Sequence, residues 1–581
     1  VNSNVPTIIF DSFGGSSFAS SWRFGGYVKT IIAMQSAEVL TVLSQVEQAT
    51  AAGLYAAGFV AYEAAAALNP DLPTLPPVEG LPLAWFALFR ERHAVAAGTG
   101  ATNSVADVAL EPQKSPVEYA GEVGRIRDYI ASGDSYQVNY TFPLSGNFEG
   151  NLRDLYSRSG AAQRAPFSAY LDLGRFTILS ASPELFFALK DGVITTRPMK
   201  GTARRGHWAG EDSAAIEKLR HSPKEQAENL MIVDLLRNDL GIVAETGSVK
   251  VNALFEVETY PTVHQMTSTV SAKLRSGTGL VGIFQALFPC GSVTGAPKRR
   301  SMEIIAELEK APRGVYCGAI GYVAPGGEAL FSVAIRTLLH DKLANRLTMG
   351  VGSAVTWDSE AVSEYAECLA KGAFVNQPMD DFQLLESLRL ADGVYTLLER
   401  HIARLVASAG YFGFSHDQAV IRRALLEHAA QKSGLRKVRL LLAADGRVVI
   451  SSETLNESAT MLRVAVGGAR VDSGDRMRYH KTTRRAMFDI ARSAYPACDE
   501  VLLFNEFGQL TEGTYHTVVL KLAGQLVTPP LACGLLPGVL REELLEKGVI
   551  VERLLYADDL AGADELWLIN SVRGWRRGNV I

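Results

Sequence analysis

Cysteine is scarce and scattered in this chain. Cys290, Cys317, Cys368, Cys498 and Cys533 are the five present in 581 residues, and no CxxC pair occurs. That speaks against a disulfide framework and against a cysteine-built zinc site, and makes a reducing cytoplasm the expected compartment. No basic run is interleaved with aromatics, and the formal net charge is -5. Neither nucleic acid nor a membrane surface is therefore an expected partner. The longest uncharged apolar-rich stretch, Gln48 to Tyr62, is too short to span a bilayer and carries two glycines. The N-terminus has no charged segment leading into an apolar run, so no signal peptide is expected. Internal repeats and long low-complexity tracts are also missing.

What is present is ordinary for a globular protein: 47% apolar and 20% charged residues. At 581 residues the chain exceeds a single core, so two or more domains are expected. Asn69 to Pro82 is proline-rich and reads as a loop within a domain. A joint lies near Phe374 to Asp381, between a helix over Ser359 to Phe374 and a strand starting at Phe382. The expected division is 1–375 and 376–581, both plausible domain sizes. In the first part, Phe176 to Ser180, Leu185 to Lys190 and Val193 to Arg197 are strand-like, with Asp191-Gly192 a hairpin turn. Gln226 to Leu240 and Arg300 to Glu309 read as helices. The expected class is α+β: large, mostly antiparallel sheets with flanking helices, then a smaller domain that also mixes strands and helices.

Lys200 is the most informative residue. Strict pairing across the Asp191-Gly192 turn sets Glu184 opposite Met199. A one-residue bulge or a longer turn puts Glu184 and Lys200 on one face, so the register stays open. An amine beside a carboxyl suits a nucleophile with a general acid, or an ordinary cross-strand ion pair. Glu364 and Glu367 are i and i+3 on one helix face, and Glu228 stands on another helix. Three glutamates suit Mg²⁺, although spacing alone favours solvated helix faces. The loop Gly291 to Lys298, with Thr294 and Gly295, runs into a helix N-terminus that favours an anion. Arg336, in an apolar strand, suits pairing with a carboxylate of the protein or of a ligand. Gly350 to Ala354 would allow close approach to the backbone.

These segments resemble the chorismate-utilising enzymes over nearly all of residues 1–375. The resemblance rests on Gly133 to Asn139, Ser182-Pro183-Glu184, Pro198-Met199-Lys200-Gly201-Thr202, Glu228 to Asp239, Gly291 to Lys298 and Tyr316 to Tyr322. Lysine at 200, where anthranilate synthases usually have alanine, resembles aminodeoxychorismate synthase component I. The resemblance implies that Lys200 attacks C2 of chorismate while Glu184 protonates the departing 4-hydroxyl. It implies Mg²⁺ on Glu228, Glu364 and Glu367. It also implies a substrate lining of Arg336, Tyr322, Gly352, Ser353, Lys298, Thr294, Gly295 and His264. No glutamine-hydrolysing module is visible in the chain, so ammonia from solution or from a separate glutamine amidotransferase subunit is the implied nitrogen source.

In the second part, Lys481 is followed thirty-one residues later by Glu512. Glu399 to Leu405 forms a basic helical patch, and Gly534 to Leu540 leads into a helix. A lysine, an anion-friendly helix start and a glutamate are the parts a pyridoxal phosphate (PLP) site needs, although ordinary surface explains the basic clusters equally well. The arrangement resembles class IV PLP enzymes and most of all the aminodeoxychorismate lyase module. That implies Lys481 on PLP, Glu512 facing the pyridine nitrogen, Arg404 with Gly538 and Val539 on the phosphate, and a homodimer through this domain. One departure stands out: Thr514-Tyr515-His516-Thr517 replaces a run of small residues that ends in asparagine. A synthase with a non-catalytic second domain, an amino-acid transaminase, and anthranilate or isochorismate formation are the competing readings.

Overall fold

The computed structural model describes residues 5–14, 18–97, 107–377, 382–456 and 461–581. Part of the joint expected near 374–381, residues 378–381, lies outside them. The chain forms two compact units. The first is Val1–Arg204 with Ile216–Asp380, and the second is Arg205–Ala215 with Asp381–Ile581. The eleven residues 205–215 thus go with the second unit, an exchange that a division into consecutive segments does not contain. No helix among the described residues is long and apolar enough to cross a membrane.

Among the described residues of the first unit the named strands all pair antiparallel and form one 18-stranded sheet system. The Asp191-Gly192 turn closes the hairpin Leu185–Lys190 and Val193–Arg197. Both turn residues have positive φ, 51° and 74°, which matches the twist of the strands they join. Lys190, Leu189 and Ala188 pair with Val193, Ile194 and Thr195. The register then slips between Thr195 and Arg197, so Arg197 pairs with Leu185 rather than Phe186. The basic stretch after Pro198 is itself a strand, Met199–Arg204, paired with Val263–Lys273.

Two helices flank the site that this sheet builds. Pro223–Val243 begins with the Ser222 side chain accepting from the Glu225 N–H and with proline in its first turn. Ala361–Gly372 is strongly amphipathic and buries Tyr365 and Cys368. Phe186, Phe187, Phe284, Phe288 and Phe331 interlock in the largest core cluster.

The second unit contains a four-stranded antiparallel sheet and an eight-stranded mixed sheet. In the mixed sheet, Met461–Val471 runs parallel to both Glu500–Asn505 and Gly574–Val580. Helix Leu398–Phe412 presents His401, Ile402 and Leu405 to the interior and ends at Gly413, which takes the left-handed conformation glycine accepts without cost.

Candidate active sites

The register slip in the hairpin has a chemical consequence. Glu184 and Lys200 line one cavity of about 260 Å³, together with Glu228, Arg336, Gly352, Glu364 and Glu367. Lys200 is held by its backbone: the Asn229 side chain donates to its carbonyl at 3.3 Å, and the Ser268 hydroxyl fixes Asn229 at 2.6 Å. Gly201 follows with φ +93°. A Cβ there would meet the Glu225 carboxylate at 3.1 Å and Met266 at 3.2 Å, so the strand passes close under the helix only with glycine at this point.

Burial acts on the two groups in opposite senses. It lowers the pKa of the Lys200 amine, and Lys371 lowers it further, while Glu228 and Glu184 oppose the shift. It raises the Glu184 carboxyl to about 7, against hydrogen bonds from Ser292 and the Met199 N–H and against the charge of Lys200. Both shifts favour the neutral forms, as desolvation requires. One oxygen of Glu184 is buried with no hydrogen-bond partner. Arg336 sits at φ +49°, an uncommon conformation for a residue with a side chain. Its guanidinium makes no hydrogen bond or ion pair among the described residues, and burial lowers its pKa.

The three glutamates are an all-oxygen donor set placed on two helices around this cavity, which fits Mg²⁺ in kind. They are not drawn together here. Glu364 accepts from the Ser359 hydroxyl at 2.7 Å, and Glu367 pairs with Lys371 at 2.7 Å. Among the described residues no three His, Cys, Asp or Glu side chains are gathered closely enough to hold a metal ion.

A second cavity, of about 470 Å³, lies in the second unit and is lined by Lys481, Arg404, Glu512, Gly538 and Val539. The Lys481 carbonyl accepts from the Leu385 N–H at 2.8 Å, and the Gln383 and Thr483 backbones are tied next to it. The exchanged segment supports the same stretch from another side. Trp208 stacks on Tyr479 with centroids 5.1 Å apart, and His480 meets the His207 carbonyl at 3.1 Å. Burial, then Arg404 and Arg485, brings the Lys481 amine down to about 8, while Glu386 and Glu512 hold it from falling further. Glu512 is bound by Arg478 at 3.1 Å and the Leu536 N–H at 3.3 Å. Arg404 makes a fork–fork pair with Glu386 and donates to the Pro537 carbonyl at 2.9 Å, fixing the turn into Gly538. Gly538 caps helix Val539–Glu546, and a Cβ on it would meet the Thr517 hydroxyl at 2.8 Å. A buried amine, a helix start too close-packed for a side chain and a buried carboxylate fit PLP.

Residues 94–377 match the chorismate binding enzyme family, and residues 383–581 match the amino-transferase class IV family. The chain joins a chorismate binding enzyme domain to an amino-transferase class IV domain. The chorismate binding domain is 44% identical over 263 residues to aminodeoxychorismate synthase component 1 of Klebsiella aerogenes, covering 45% of this chain and 58% of that protein. It is 37% identical over 254 residues to anthranilate synthase component 1 of Aquifex aeolicus, covering 44% and 51%. The chain therefore spans little more than half the length of these curated relatives. The crystal structure of anthranilate synthase component I from Streptococcus pneumoniae superposes with a TM-score of 0.54 at 26% identity, over 62% of this chain and 93% of that one. The α+β architecture expected from the sequence is the one observed.

Several residues expected around chorismate lie elsewhere in the chorismate binding domain. Lys298 points to Asp239 at 2.7 Å and to the Leu287 carbonyl, not into the cavity. Tyr322 is 4% exposed, packed on Phe10 and beneath Arg92. His264 is a core residue on Val263–Lys273, with the Thr259 hydroxyl at 3.0 Å. Thr294 turns to the Cys290 and Gly291 carbonyls, Gly295 packs under the Gln137 carbonyl, and Ser353 is bonded to the Tyr119 hydroxyl at 2.8 Å. The cavity is completed instead by Ser292 and Tyr316, from segments that carry the resemblance but were not expected in the lining, and by Lys224 and Lys371. Lys371 carried a usable signal, since it stands four residues after Glu367 on the same helix face.

In the class IV domain the departure at 514–517 is accommodated by a buried carboxylate. Glu500, wholly buried, accepts from the Thr514 N–H at 2.7 Å, the Tyr515 N–H at 3.1 Å and His516 Nδ1 at 2.5 Å. Thr517, where asparagine was expected, still presents a hydroxyl beside Gly538.

Proposed function

We propose that this chain makes 4-aminobenzoate from chorismate in two steps, one in each domain. In the first, the neutral amine of Lys200 bonds to C2 of chorismate. The 4-hydroxyl leaves as water with the proton of Glu184. Ammonia then bonds to C4, the Lys200 bond breaks, and 4-amino-4-deoxychorismate is released. The observation that carries this reading is one cavity holding an amine with a lowered pKa and a carboxyl raised to about 7, shifts toward the neutral forms that a nucleophile and a general acid need. Arg336 would take a substrate carboxylate, and Gly352 would let the ligand approach the backbone. Mg²⁺, held by Glu228, Glu364 and Glu367, would neutralise the ring carboxylate. The ammonia would come from a separate glutamine amidotransferase subunit or from solution.

In the second step, pyruvate is eliminated and 4-aminobenzoate remains. PLP would supply the electron sink, with its phosphate toward Arg404, Gly538 and Val539. Lys481 Nζ, near its own pKa at neutral pH, would hold the cofactor and then carry a proton. Glu512 would face the pyridine nitrogen.

The test is product analysis of the purified chain with chorismate, Mg²⁺ and excess ammonium, with and without PLP. The expected result is PLP-dependent 4-aminobenzoate with pyruvate. Aminodeoxychorismate that accumulates regardless of PLP would refute the second step alone. Anthranilate, or undiminished turnover by Lys200→Ala, would refute the first.

A further inference from the structure

The cavity around Lys481 carries more positive charge than a cofactor accounts for. Among its arginines, Arg404, Arg478 and Arg541 are each paired with a carboxylate: Glu386, Glu512 and Glu552 respectively. Arg485 and Arg492 are not. Arg485 donates to the Thr514 carbonyl at 2.7 Å, and Arg492 to the Asp499 carbonyl at 2.8 Å and, weakly, to the Thr514 hydroxyl at 3.4 Å. The Asp499 carboxylate itself is taken by Arg463. Neither guanidinium meets a carboxylate within ion-pair distance among the described residues.

Both are nevertheless held in place. The Arg485 guanidinium lies 4.7 Å from the Tyr515 ring centroid and that of Arg492 lies 4.8 Å from it, and Arg485 also rests 4.8 Å from the Phe488 ring. A ring face attracts a guanidinium and orients its plane, and leaves the N–H groups not spent on the Thr514 and Asp499 carbonyls for a planar anion. The Tyr515 backbone is fixed in turn, while the residue as a whole is 53% exposed. Its N–H is bound by the buried Glu500, and its carbonyl accepts from Asn570 at 3.4 Å.

His516 helps to order the same stretch of chain. His516 lines the cavity, is 9% exposed, and has Nδ1 bound to Glu500 at 2.5 Å. Its Nε2 is buried with no hydrogen-bond partner. That nitrogen is closed off from the open cavity, so the ring seats residues 514–517 on Glu500 and the charge that faces an anion comes from the two arginines.

We propose that Arg485 and Arg492, resting on Tyr515, form a carboxylate subsite that selects dicarboxylic over monocarboxylic amines in the Lys481 cavity. This rests on the reading of that cavity as a PLP site, and it deepens the assignment of aminodeoxychorismate as substrate. Aminodeoxychorismate carries a ring carboxylate and an enolpyruvyl carboxylate, whereas an ordinary neutral amino acid offers one. The residues that depart from the expected small-residue run are then the ones that set specificity. A small residue at 515 would leave Arg485 only the Phe488 ring and would remove the ring beneath Arg492.

The test uses the full chain loaded with PLP and two unreactive probes, 3-(1-carboxyethoxy)benzoate with two carboxylates and 3-ethoxybenzoate with one. Binding is followed through the cofactor's visible absorbance, which reports the second cavity and is blind to the first. The dicarboxylate is expected to bind about 10- to 100-fold more tightly, the range for charge-assisted hydrogen bonds. Arg485→Gln and Arg492→Gln should each reduce that preference about tenfold. Lysine at either position should restore little of it, because an ammonium lacks the fork. Tyr515→Phe keeps the ring face and should keep the preference, whereas Tyr515→Leu should lose it. A wild-type chain without the preference, or a preference that survives both glutamine variants, overturns the subsite. Equal competition by inorganic phosphate also overturns it, since it would mark a general anion site. A chain that takes up no cofactor overturns the PLP reading, and the subsite with it.

Discussion

Glu184→Gln should make the chorismate binding domain more stable and much less active. The carboxyl is buried in the Lys200 cavity and its pKa stands at about 7, against an ordinary 4.5. Because the folded-state value is raised, the unfolded chain ionises first as the pH rises. The folded form binds more protons between pH 4.5 and 7, so stability is lost across that window and stays lost above it. A rise of this size corresponds to about 3 kcal/mol at pH 8, from 1.36 kcal/mol per pKa unit. Glutamine has nearly the same shape, still accepts from Ser292 and the Met199 N–H, and cannot ionise. Denaturant unfolding of the ligand-free chain should therefore favour the variant at pH 8 by about 3 kcal/mol, and the gain should vanish below pH 4.5. Removing a general acid should lower kcat for aminodeoxychorismate formation by about 10²- to 10⁴-fold. The wild type should lose activity about tenfold per pH unit above 7, and the variant should lack that limb. A variant no more stable than wild type at pH 8 would refute desolvation as the dominant influence on Glu184, and an unchanged kcat would refute its role as the acid.

Arg336→Gln should raise KM for chorismate by about 10- to 100-fold in steady-state assays, since the guanidinium makes no hydrogen bond or ion pair among the described residues that would compete with substrate. Glu228→Gln and Glu364→Gln should each raise the Mg²⁺ concentration for half-maximal synthase activity, and chelation should silence the wild-type synthase; a Mg²⁺ requirement unmoved by both variants would remove them as ligands. Lys481→Ala should abolish the visible absorbance of bound PLP while leaving aminodeoxychorismate formation intact, as judged by spectra and product mass.

Much of the fold was legible in local sequence. The hairpin at Asp191-Gly192, the helix through Glu228 and the helix of Glu364 and Glu367 all stand where turn chemistry and hydrophobic pattern put them. So did the residue types a nucleophile, a general acid, a metal and a cofactor require. Local pattern could not choose among partners distant in the chain. Lys298 is bonded to Asp239, fifty-nine residues away, and no spacing rule separates a lysine that meets substrate from one that meets a buried aspartate. Tyr322 and His264 went to the core for the same reason: their neighbours come from other strands.

The sequence by itself determined the two-part organisation and which side chains were candidates for chemistry, because composition, turn signals and ordered motifs are local properties. Only the tertiary structure decided the rest. The slip between Thr195 and Arg197, a matter of how two strands pair, accompanies the arrangement in which Glu184 and Lys200 line one cavity. Glu500, buried beneath residues 514–517, turns an unexpected run into an ordered loop. Residues 205–215 join the second unit because Arg205, Trp208 and the His207 carbonyl find Tyr411, Tyr479 and His480 there. Register, burial and long-range pairing depend on which segments meet, and that is settled only when the whole chain folds.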